Sequence, residues 1–349
     1  MERLELHGFR NLVDTRLAPH PRLNVVVGAN GAGKTSLLEA VYFLSRVRSF
    51  RTRQLDRLIR WGAEEAQVAG LRYGDRLGVA RSPGQTRLRL NGAEAGARSS
   101  LAERLPVQVI NTEHQRLVLD GPRVRRQFLD WGAFHLERDY RSRALRYHHA
   151  LRQRNAALRA DDRRSERAWT PILAQYAAQL DAARERFVDA LQPTWEQLSR
   201  RWLGLEGVGL RYYRGASAAQ AWEEVLAEQQ ERDRAQGFTG RGPHRADLLL
   251  SHGRLPAVDA LSRGQQKLLV VALLIAEVRL WAERGLAPVL LIDDLPAELD
   301  PEHLRAVLET VTAEPAQVFL SAVTAEALPA SLPPGNWYAV HQGTLSAMV

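Results

Sequence analysis

Residues 23–35 read Leu-Asn-Val-Val-Val-Gly-Ala-Asn-Gly-Ala-Gly-Lys-Thr, an apolar run that leads directly into a glycine-rich loop. The loop fits the pattern G-x-x-x-x-G-K-[ST]. We expect residues 23–27 to form a buried strand and residues 36–44 to form a helix. Glycines let the backbone turn tightly and direct N–H groups at phosphate oxygens, and the helix N-terminus adds partial positive charge. Strand, loop and helix together predict a triphosphate-binding site in an α/β domain.

The side chains of this loop predict ATP and Mg²⁺ as cofactors. We expect Lys34 to reach the β- and γ-phosphates and the Thr35 hydroxyl to ligate the metal. Only Lys34 and Lys267 are lysine among the 48 basic residues, and a lysine kept in such a chain indicates a site that needs a compact ammonium. The predicted nucleotide-binding residues are Gly28, Ala29, Asn30, Gly31, Ala32, Gly33, Lys34, Thr35 and Ser36.

A second apolar run, residues 289–292, ends in two carboxylates. Because strand ends face the phosphate site in a parallel sheet, we expect both acids there. Asp293 is the predicted Mg²⁺ partner, and Asp294 is placed to orient the attacking water. Adjacent acids can also do no more than end a strand, but the phosphate loop makes that interpretation the weaker one.

The segment Leu-Ser-Arg-Gly-Gln, residues 261–265, precedes a long apolar run. One interpretation is an ordinary capped helix, with Ser262 as N-cap and Gln265 three residues later. The other is a resemblance to the L-S-x-G-Q signature of ABC ATPases, 31 residues before Asp293. That resemblance implies that Ser262, Gly264 and Gln265 act on the γ-phosphate of ATP bound to another subunit, which requires an ATP-dependent homodimer with two composite sites.

Other parts of the ABC pattern are less complete. Residues 297–300 resemble the D-loop, and residues 317–322 occupy the switch region without the histidine that many ABC ATPases carry. Glu113 and Gln115 both remain candidates for the Q-loop. Many of these enzymes have Glu where this chain has Asp294, which is one methylene shorter, so we predict slow hydrolysis.

Within the ABC superfamily the chain resembles the RecF family most closely. The resemblance covers nearly the whole chain, with Ala297 a small departure from the serine often found there. The stretches that carry it are residues 4–12, 48–51, 121–131, 242–248, 261–267 and 291–300.

The family resemblance implies a recombination-repair protein, a weak DNA-stimulated ATPase whose head is similar to that of SMC proteins. ATP would close the homodimer on double-stranded DNA or gap junctions, and slow hydrolysis would release it. RecO and RecR would be mediator partners in loading the recombinase RecA at single-stranded gaps, in support of replication restart and the SOS response.

The predicted fold class is α/β: an ABC-type ATPase head, with a mixed sheet and an antiparallel lobe, plus an inserted all-helical arm. Residues 1–135 and 236–349 would form the head. Residues 136–235, poor in Pro and Gly with apolar positions at helical spacing, would form the arm. Strands at 66–72, 77–81 and 87–90 would build the lobe, with Asn91-Gly92 as a turn.

The formal net charge of +8 and pI near 10.2 favour a polyanionic partner. Six arginines cluster around Phe50, and three more lie at 123–126. Each alone can be an ordinary surface or ion-pair residue, but together they predict contacts to DNA phosphates. The predicted DNA-binding residues are Arg46, Arg48, Arg51 and Arg53, with Arg57 and Arg60 completing the first cluster and Arg123, Arg125 and Arg126 forming the second.

Composition limits the remaining alternatives. The absence of cysteine excludes disulfides and thiolate metal sites, and no apolar run approaches the roughly 20 residues of a membrane helix. We expect a cytoplasmic protein with no membrane partner. The alternative function is the nucleotide-binding subunit of an ABC transporter, which gives no role to the arm, and a metabolic P-loop kinase gives none to residues 261–265.

Overall fold

The computed structural model describes residues 1–348, which form two compact units. The first combines residues 1–114 with residues 274–348, and the second is residues 115–273. The second unit therefore begins before the predicted boundary at 136 and ends after the one at 235. It extends further because the helix that starts at Pro122 and the strand Asp247–His252 pack within it, joined by the ion pair of Arg125 and Asp247.

The strands are numbered in chain order through residues 1–348. They are β1 (Arg3–His7), β2 (Thr15–Leu17), β3 (Leu23–Val27), β4 (Ala66–Arg72), β5 (Asp75–Ser82), β6 (Gln85–Leu90), β7 (Ala93–Glu94), β8 (Val107–Ile110), β9 (Val208–Tyr213), β10 (Asp247–His252), β11 (Leu255–Pro256), β12 (Val289–Ile292), β13 (Gln317–Ala322), β14 (Asn336–His341) and β15 (Thr344–Met348).

The helices follow the same numbering. They are α1 (Lys34–Arg46), α2 (Arg98–Arg104), α3 (Arg116–Leu119), α4 (Pro122–Leu136), α5 (Tyr140–Arg159), α6 (Arg163–Leu203), α7 (Trp222–Glu228), α8 (Gln230–Gln236), α9 (Ala257–Ala260), α10 (Arg263–Glu283) and α11 (Pro301–Ala313). Short 3-10 turns lie at Leu55–Leu58, Thr112–Gln115, Pro243–Arg245, Leu295–Ala297 and Ala325–Ala327. No helix within residues 1–348 is long and apolar enough to cross a membrane.

The main sheet of the first unit has the strand order β15-β14-β3-β13-β12-β8. All neighbours pair in parallel except β14 and β15, which form an antiparallel hairpin at one edge. Every residue of β3, β12 and β13 is buried, as expected for central parallel strands covered on both faces. The carboxyl ends of these three strands meet at one edge, where the phosphate loop and the acidic strand end both lie.

The antiparallel lobe belongs to the same unit and has the order β2-β1-β4-β5-β6-β7. The predicted strands at 66–72, 77–81 and 87–90 are confirmed, and Asn91 and Gly92 form the turn between β6 and β7, both with positive φ. The lobe packs against α1 through buried apolar residues on three strands. They include Leu4 of β1, Val68 of β4 and Val79 of β5, which belong to the same hydrophobic core as α1.

The second unit is mainly helical but also contains a sheet of its own, with the order β11-β10-β9. The expectation of an all-helical region at 136–235 was wrong at residues 208–213. There Val208 and Leu210 alternate with more exposed residues, and β9 pairs antiparallel with β10, whose sequence lies outside the predicted arm. The helical prediction is otherwise confirmed, most clearly by the 41 residues of α6.

Candidate nucleotide-binding site

The phosphate loop (Gly28–Thr35) connects β3 to α1 and requires glycine at two positions for different reasons. Gly33, at φ 126°, has a backbone conformation that residues with a side chain rarely adopt. At Gly28 a Cβ atom would lie 2.4 Å from the Val340 carbonyl oxygen of the neighbouring strand β14. The loop is therefore shaped by its packing against the sheet as well as by its own torsions.

Lys34 is held inside this loop with 4% of its surface exposed. Its Nζ atom donates to the carbonyl oxygen of Gly28 at 2.9 Å and lies 3.8 Å from Oδ1 of Asp294. The ammonium thus stands between the loop backbone and the acidic strand end. A compact charge can turn between such partners, whereas a planar guanidinium needs a wider, fixed geometry.

Asp293 receives two hydroxyl groups at the end of β12. Thr35 Oγ1 donates to Asp293 Oδ1 at 3.0 Å, and Ser321 Oγ donates to the same oxygen at 2.8 Å. Burial raises the pKa of Asp293, against the opposing effect of these two hydrogen bonds. The predicted proximity of Thr35 and Asp293 is confirmed by this contact.

Ser321 is a residue that sequence reasoning missed. It lies in β13, is completely buried, and accepts the backbone N–H of Asp294 at 2.9 Å while donating to Asp293. Asp294 has φ 50°, so this hydrogen bond fixes a backbone conformation that is uncommon for a residue with a side chain. The available signal was a single hydroxyl within the otherwise apolar strand Val318–Ala322, in the region where the switch histidine is absent.

Asn11 is a second missed residue, on the opposite side of the phosphate loop. Its Nδ2 donates to the Gly31 carbonyl at 2.9 Å, and its Oδ1 accepts from Ser36 Oγ at 2.8 Å. The preceding Arg10 forms a two-point ion pair with the fully buried Glu39 of α1, at 2.8 Å for each contact. The N-terminal segment therefore holds both the loop and its helix, a role that no local pattern around residue 11 indicates.

The signature segment (Ser262–Gln265) lies in the second unit and opens α10. Ser262 Oγ accepts from the Gln265 backbone N–H at 3.3 Å, and Gln265 Oε1 accepts from the Ser262 N–H at 3.0 Å. This is the reciprocal capping arrangement of the first sequence interpretation. Ser262 and Gly264 are exposed, and beyond the adjacent residues and the helix's own backbone no atom of the described residues lies within 4 Å of the position that a Cβ would take at Gly264.

The remaining ABC-like segments have ordinary local structures. Asp300, at the end of the D-loop segment, caps α11 by accepting from the His303 backbone N–H at 3.1 Å. The two Q-loop candidates, Glu113 and Gln115, both fall in the 3-10 turn directly after β8.

The first arginine cluster divides into residues that face inward and residues that face solvent. Arg46 is half-buried, its guanidinium 5.6 Å from the centre of the Tyr42 ring, and desolvation lowers its pKa although Tyr42 and the buried Glu277 oppose the change. Arg46 therefore offers less of its side chain to solvent than Arg48 or Arg53, and its contact with DNA stays a prediction. Arg51 lies 3.6 Å from Glu39. Arg48, Arg53 and Arg57 are exposed and form no ion pair within residues 1–348.

The second arginine cluster is mostly occupied by the protein itself. Arg125 forms a two-point ion pair with Asp247, at 2.7 and 2.9 Å, and Arg126 donates to the Ala246 carbonyl at 2.8 Å. Only Arg123 is exposed. The protein partners of Arg125 and Arg126 lie about 120 residues further along the chain, where no local pattern shows them, and the DNA contacts of this cluster stay a prediction.

The residues around Lys34 fit ATP with Mg²⁺. Gly31 and Gly33 have positive φ, a backbone shape that lets N–H groups converge on a phosphate, and the adjacent ammonium supplies positive charge. A hydroxyl and one carboxylate in contact match the few protein ligands that Mg²⁺ takes when the phosphates supply others. Thr35 and Asp293 are the residues that would hold the metal.

Comparison with known proteins places this site in a family. The family model described as RecF/RecN/SMC N terminal domain matches residues 1–344. The DNA replication and repair protein RecF of Chromohalobacter salexigens is 43% identical over 336 residues, covering 94% of this chain and 93% of that protein. The protein of the same name from Stutzerimonas stutzeri is 41% identical over 338 residues, covering 94% and 91%.

Solved structures confirm the predicted fold class. The structure of the recombination mediator protein RecF-ATP in the RecFOR pathway matches with a TM-score of 0.87 at 22% identity, covering 100% of this chain and 97% of that one. An Smc head bound to the C-winged helix domain of ScpA matches with a TM-score of 0.60 at 16% identity, covering 99% and 96%. Since the family model and the curated relatives both extend over nearly all its residues, this chain belongs to the RecF family of SMC-like ATPases.

Proposed function

We propose that this protein is an ATP-dependent DNA-binding protein of recombination repair, in which ATP closes a homodimer on DNA and slow hydrolysis releases it. The observation that carries the proposal is the contact of Thr35, Asp293 and Ser321 beside the buried Lys34. RecF-family membership supports the role in DNA replication and repair. It also leaves the transporter alternative without support.

The chemistry of ATP hydrolysis follows from the residues at the strand ends. Bound Mg²⁺ would neutralise charge on the phosphates and orient them. Lys34 places a further positive charge where negative charge develops in the transition state. Asp294, whose backbone N–H is fixed by Ser321, holds a carboxylate near that site and can orient the attacking water. Because this carboxylate is one methylene shorter than glutamate, it reaches less far, and we expect slow turnover.

The exposed signature segment supports the proposed homodimer. Ser262 and Gly264 present a hydroxyl and backbone N–H groups at the start of the 21-residue helix α10. A helix N-terminus of this kind favours an anionic group such as a γ-phosphate. We infer that Ser262, Gly264 and Gln265 of one copy complete the site formed by the phosphate loop of a second copy, which makes the dimer dependent on the triphosphate.

DNA is the proposed partner, through exposed arginines. Arg48 and Arg53 carry charges that no described residue neutralises, so they remain available for phosphates. The substrates we propose are double-stranded DNA and the junctions of single-stranded gaps. A matched relative is described as a recombination mediator in the RecFOR pathway, which supports RecR and other mediators as protein partners in the cytoplasm.

The molecular mass in solution tests this proposal. The protein is measured alone, with ADP, with ATP, and with ATP plus blunt duplex DNA. We expect a monomer without nucleotide or with ADP, a dimer with ATP, and a larger dimer fraction when duplex DNA is added. A mass that is the same in all four samples would contradict the proposal.

A further inference from the structure

Trp61 is completely exposed, with 100% of its surface accessible. The chain has eight tryptophans, all within the described residues, and the other seven are buried or half-buried. Tryptophan is highly buried on average because its indole is large and mostly apolar. A fully exposed indole at a fixed position is therefore a candidate contact for a partner molecule.

The local backbone does fix that position. Trp61 lies in a turn closed by a hydrogen bond from Ala63 N–H to the Arg60 carbonyl at 2.9 Å. Gly62 follows at φ 82°, as a type II turn requires at its third residue. The turn cannot retreat to bury the indole without breaking this geometry.

The turn is also anchored to the N-terminal segment. Arg60 N–H donates to the Gly8 carbonyl at 2.7 Å, and its guanidinium donates to the Leu12 carbonyl and to Asp14 Oδ1, each at 3.0 Å. Phe9 and Ile59 pair as an isolated bridge. These contacts hold the base of the turn and leave Trp61 at its tip, so the indole is presented to solvent by a rigid support.

The chain leading to this turn is strongly basic. Residues 46–63 contain six arginines and one acid, Asp56, which is paired with Arg81 at 2.7 Å. Three of the arginines, Arg48, Arg53 and Arg57, are exposed without an ion pair within residues 1–348. Glu64 is the nearest exposed acid in sequence. The segment therefore suits an anionic partner more than an apolar protein surface.

We infer that Trp61 stacks on an unpaired base of DNA, while the exposed arginines before it contact the phosphates. An aromatic face can stack on any base but only where the base is not already stacked in a duplex. The inference rests on the proposed DNA-binding function and narrows it: Trp61 makes the protein prefer the edge of a single-stranded gap to blunt duplex DNA.

Three DNA substrates and two variants test this inference in the presence of ATP. The substrates are a gapped duplex, the same duplex with abasic sites in place of the unpaired bases, and a blunt duplex of equal length. The variants are Trp61→Ala, which removes stacking, and Trp61→Phe, which retains an aromatic ring. Since Trp61 makes no part of the core, both variants should fold, which thermal unfolding without nucleotide will verify.

We expect Trp61→Ala to lose at least about five-fold in affinity for the gapped duplex, the lower end of what one stacked base contributes. Its affinity for blunt duplex should be unchanged, and Trp61→Phe should stay close to the unaltered protein. The unaltered protein should bind the abasic gap as weakly as Trp61→Ala binds the normal gap. The abasic gap keeps every phosphate and lacks only the bases, so the difference in affinity between the two gapped substrates measures the contribution of the unpaired bases.

Three outcomes would overturn the inference. If Trp61→Ala binds all three substrates as the unaltered protein does, the indole makes no DNA contact. If Trp61→Ala loses the ATP-dependent dimer, its partner is a second copy, and if it loses only the binding of a RecR-type protein, its partner is that mediator. Failure of the unaltered protein to bind any DNA with ATP would instead contradict the proposed function itself.

Discussion

The phosphate loop and the signature segment are both helix N-terminal regions suited to phosphate, but they are built differently. The phosphate loop is enclosed: Lys34 is 4% exposed and contacts the loop backbone, and Thr35 contacts Asp293. The signature segment is open: Ser262 and Gly264 are exposed, and the side chains of Ser262 and Gln265 each accept the other residue's backbone N–H. The phosphate loop finds its polar partners within its own unit, whereas the signature segment presents an exposed helix N-terminus that an external anion could reach. This difference is what the proposed dimer explains.

The largest effect is expected at the acid that completes the phosphate loop. Asp294→Asn removes the carboxylate that we propose to orient water, while keeping the size of the side chain and the backbone hydrogen bond to Ser321. ATP turnover should fall by about 10²–10⁴-fold, the usual contribution of a positioned base, and ATP binding should remain. The ATP-bound dimer should therefore last longer, as measured by its dissociation after dilution. Unchanged turnover would show that Asp294 has no part in hydrolysis.

Lys34→Arg breaks the enclosed region while leaving the signature segment intact. We expect ATP affinity, measured by titration calorimetry, to fall by about 10- to 100-fold, since a hydrogen bond to a charged group contributes about 1.5–3 kcal/mol. The dimer should be lost with it. The Tm without nucleotide serves as the control for folding. A variant that binds ATP normally would contradict the need for a compact ammonium at this position.

Ser321→Ala tests whether the enclosed region depends on its buried hydroxyl. The change leaves the Asp294 N–H without its acceptor and should cost about 1–3 kcal/mol of unfolding free energy. Turnover should fall about ten-fold, because the lost hydrogen bond positions Asp294 and contributes about 1 kcal/mol or more, and about 1.4 kcal/mol in activation free energy corresponds to a ten-fold change in rate. Ser321→Thr is the matched control because it keeps the hydroxyl and should restore turnover. If both variants lose stability alike and neither loses turnover, the role of Ser321 is structural only.

The smallest effect is expected in the pH dependence of stability that Asp293 causes. Burial raises the pKa of Asp293, so its folded pKa lies above its unfolded value. This group favours the folded state at low pH, and that contribution is lost as pH rises through the raised pKa. Asp293→Asn should therefore raise the Tm of the nucleotide-free protein at neutral pH, although it should weaken Mg²⁺-dependent ATP binding. At acid pH, where Asp293 is protonated, the variant and the unaltered protein should differ less in Tm. If the Tm of Asp293→Asn at neutral pH is equal to or below that of the unaltered protein, burial of the Asp293 charge does not destabilise the fold.

The sequence predicted those strands and helices whose hydrophobic pattern lies within a few consecutive residues. The apolar runs at 23–27 and 289–292 are both strands of the parallel sheet. Strand β9 was missed because its pairing partner β10 lies more than 30 residues away, and a short strand between helices has little periodicity of its own. Alternation over six residues is a weak signal next to a 41-residue helix.

The candidate site shows the same limit at the level of side chains. Lys34, Thr35 and Asp293 follow from motifs, because the chemistry fixes both residue type and spacing. Ser321 and Asn11 do not, since each acts through a neighbour brought close only by the fold. Arg46 shows the limit of a charge pattern: it belongs to a basic segment, yet the buried Glu277, more than 200 residues away in sequence, lies among its electrostatic neighbours.

The substitution Ser262→Arg tests most directly whether the signature segment of one copy completes the phosphate site of a second copy. ATP affinity and molecular mass are measured together, with Ser165→Arg, near the start of another helix of the same unit, as the matched control. The account predicts that Ser262→Arg binds ATP with unchanged monomer affinity and stays monomeric, while the control forms the dimer. An ATP-dependent dimer of Ser262→Arg, formed as readily as that of the unaltered protein, would contradict it.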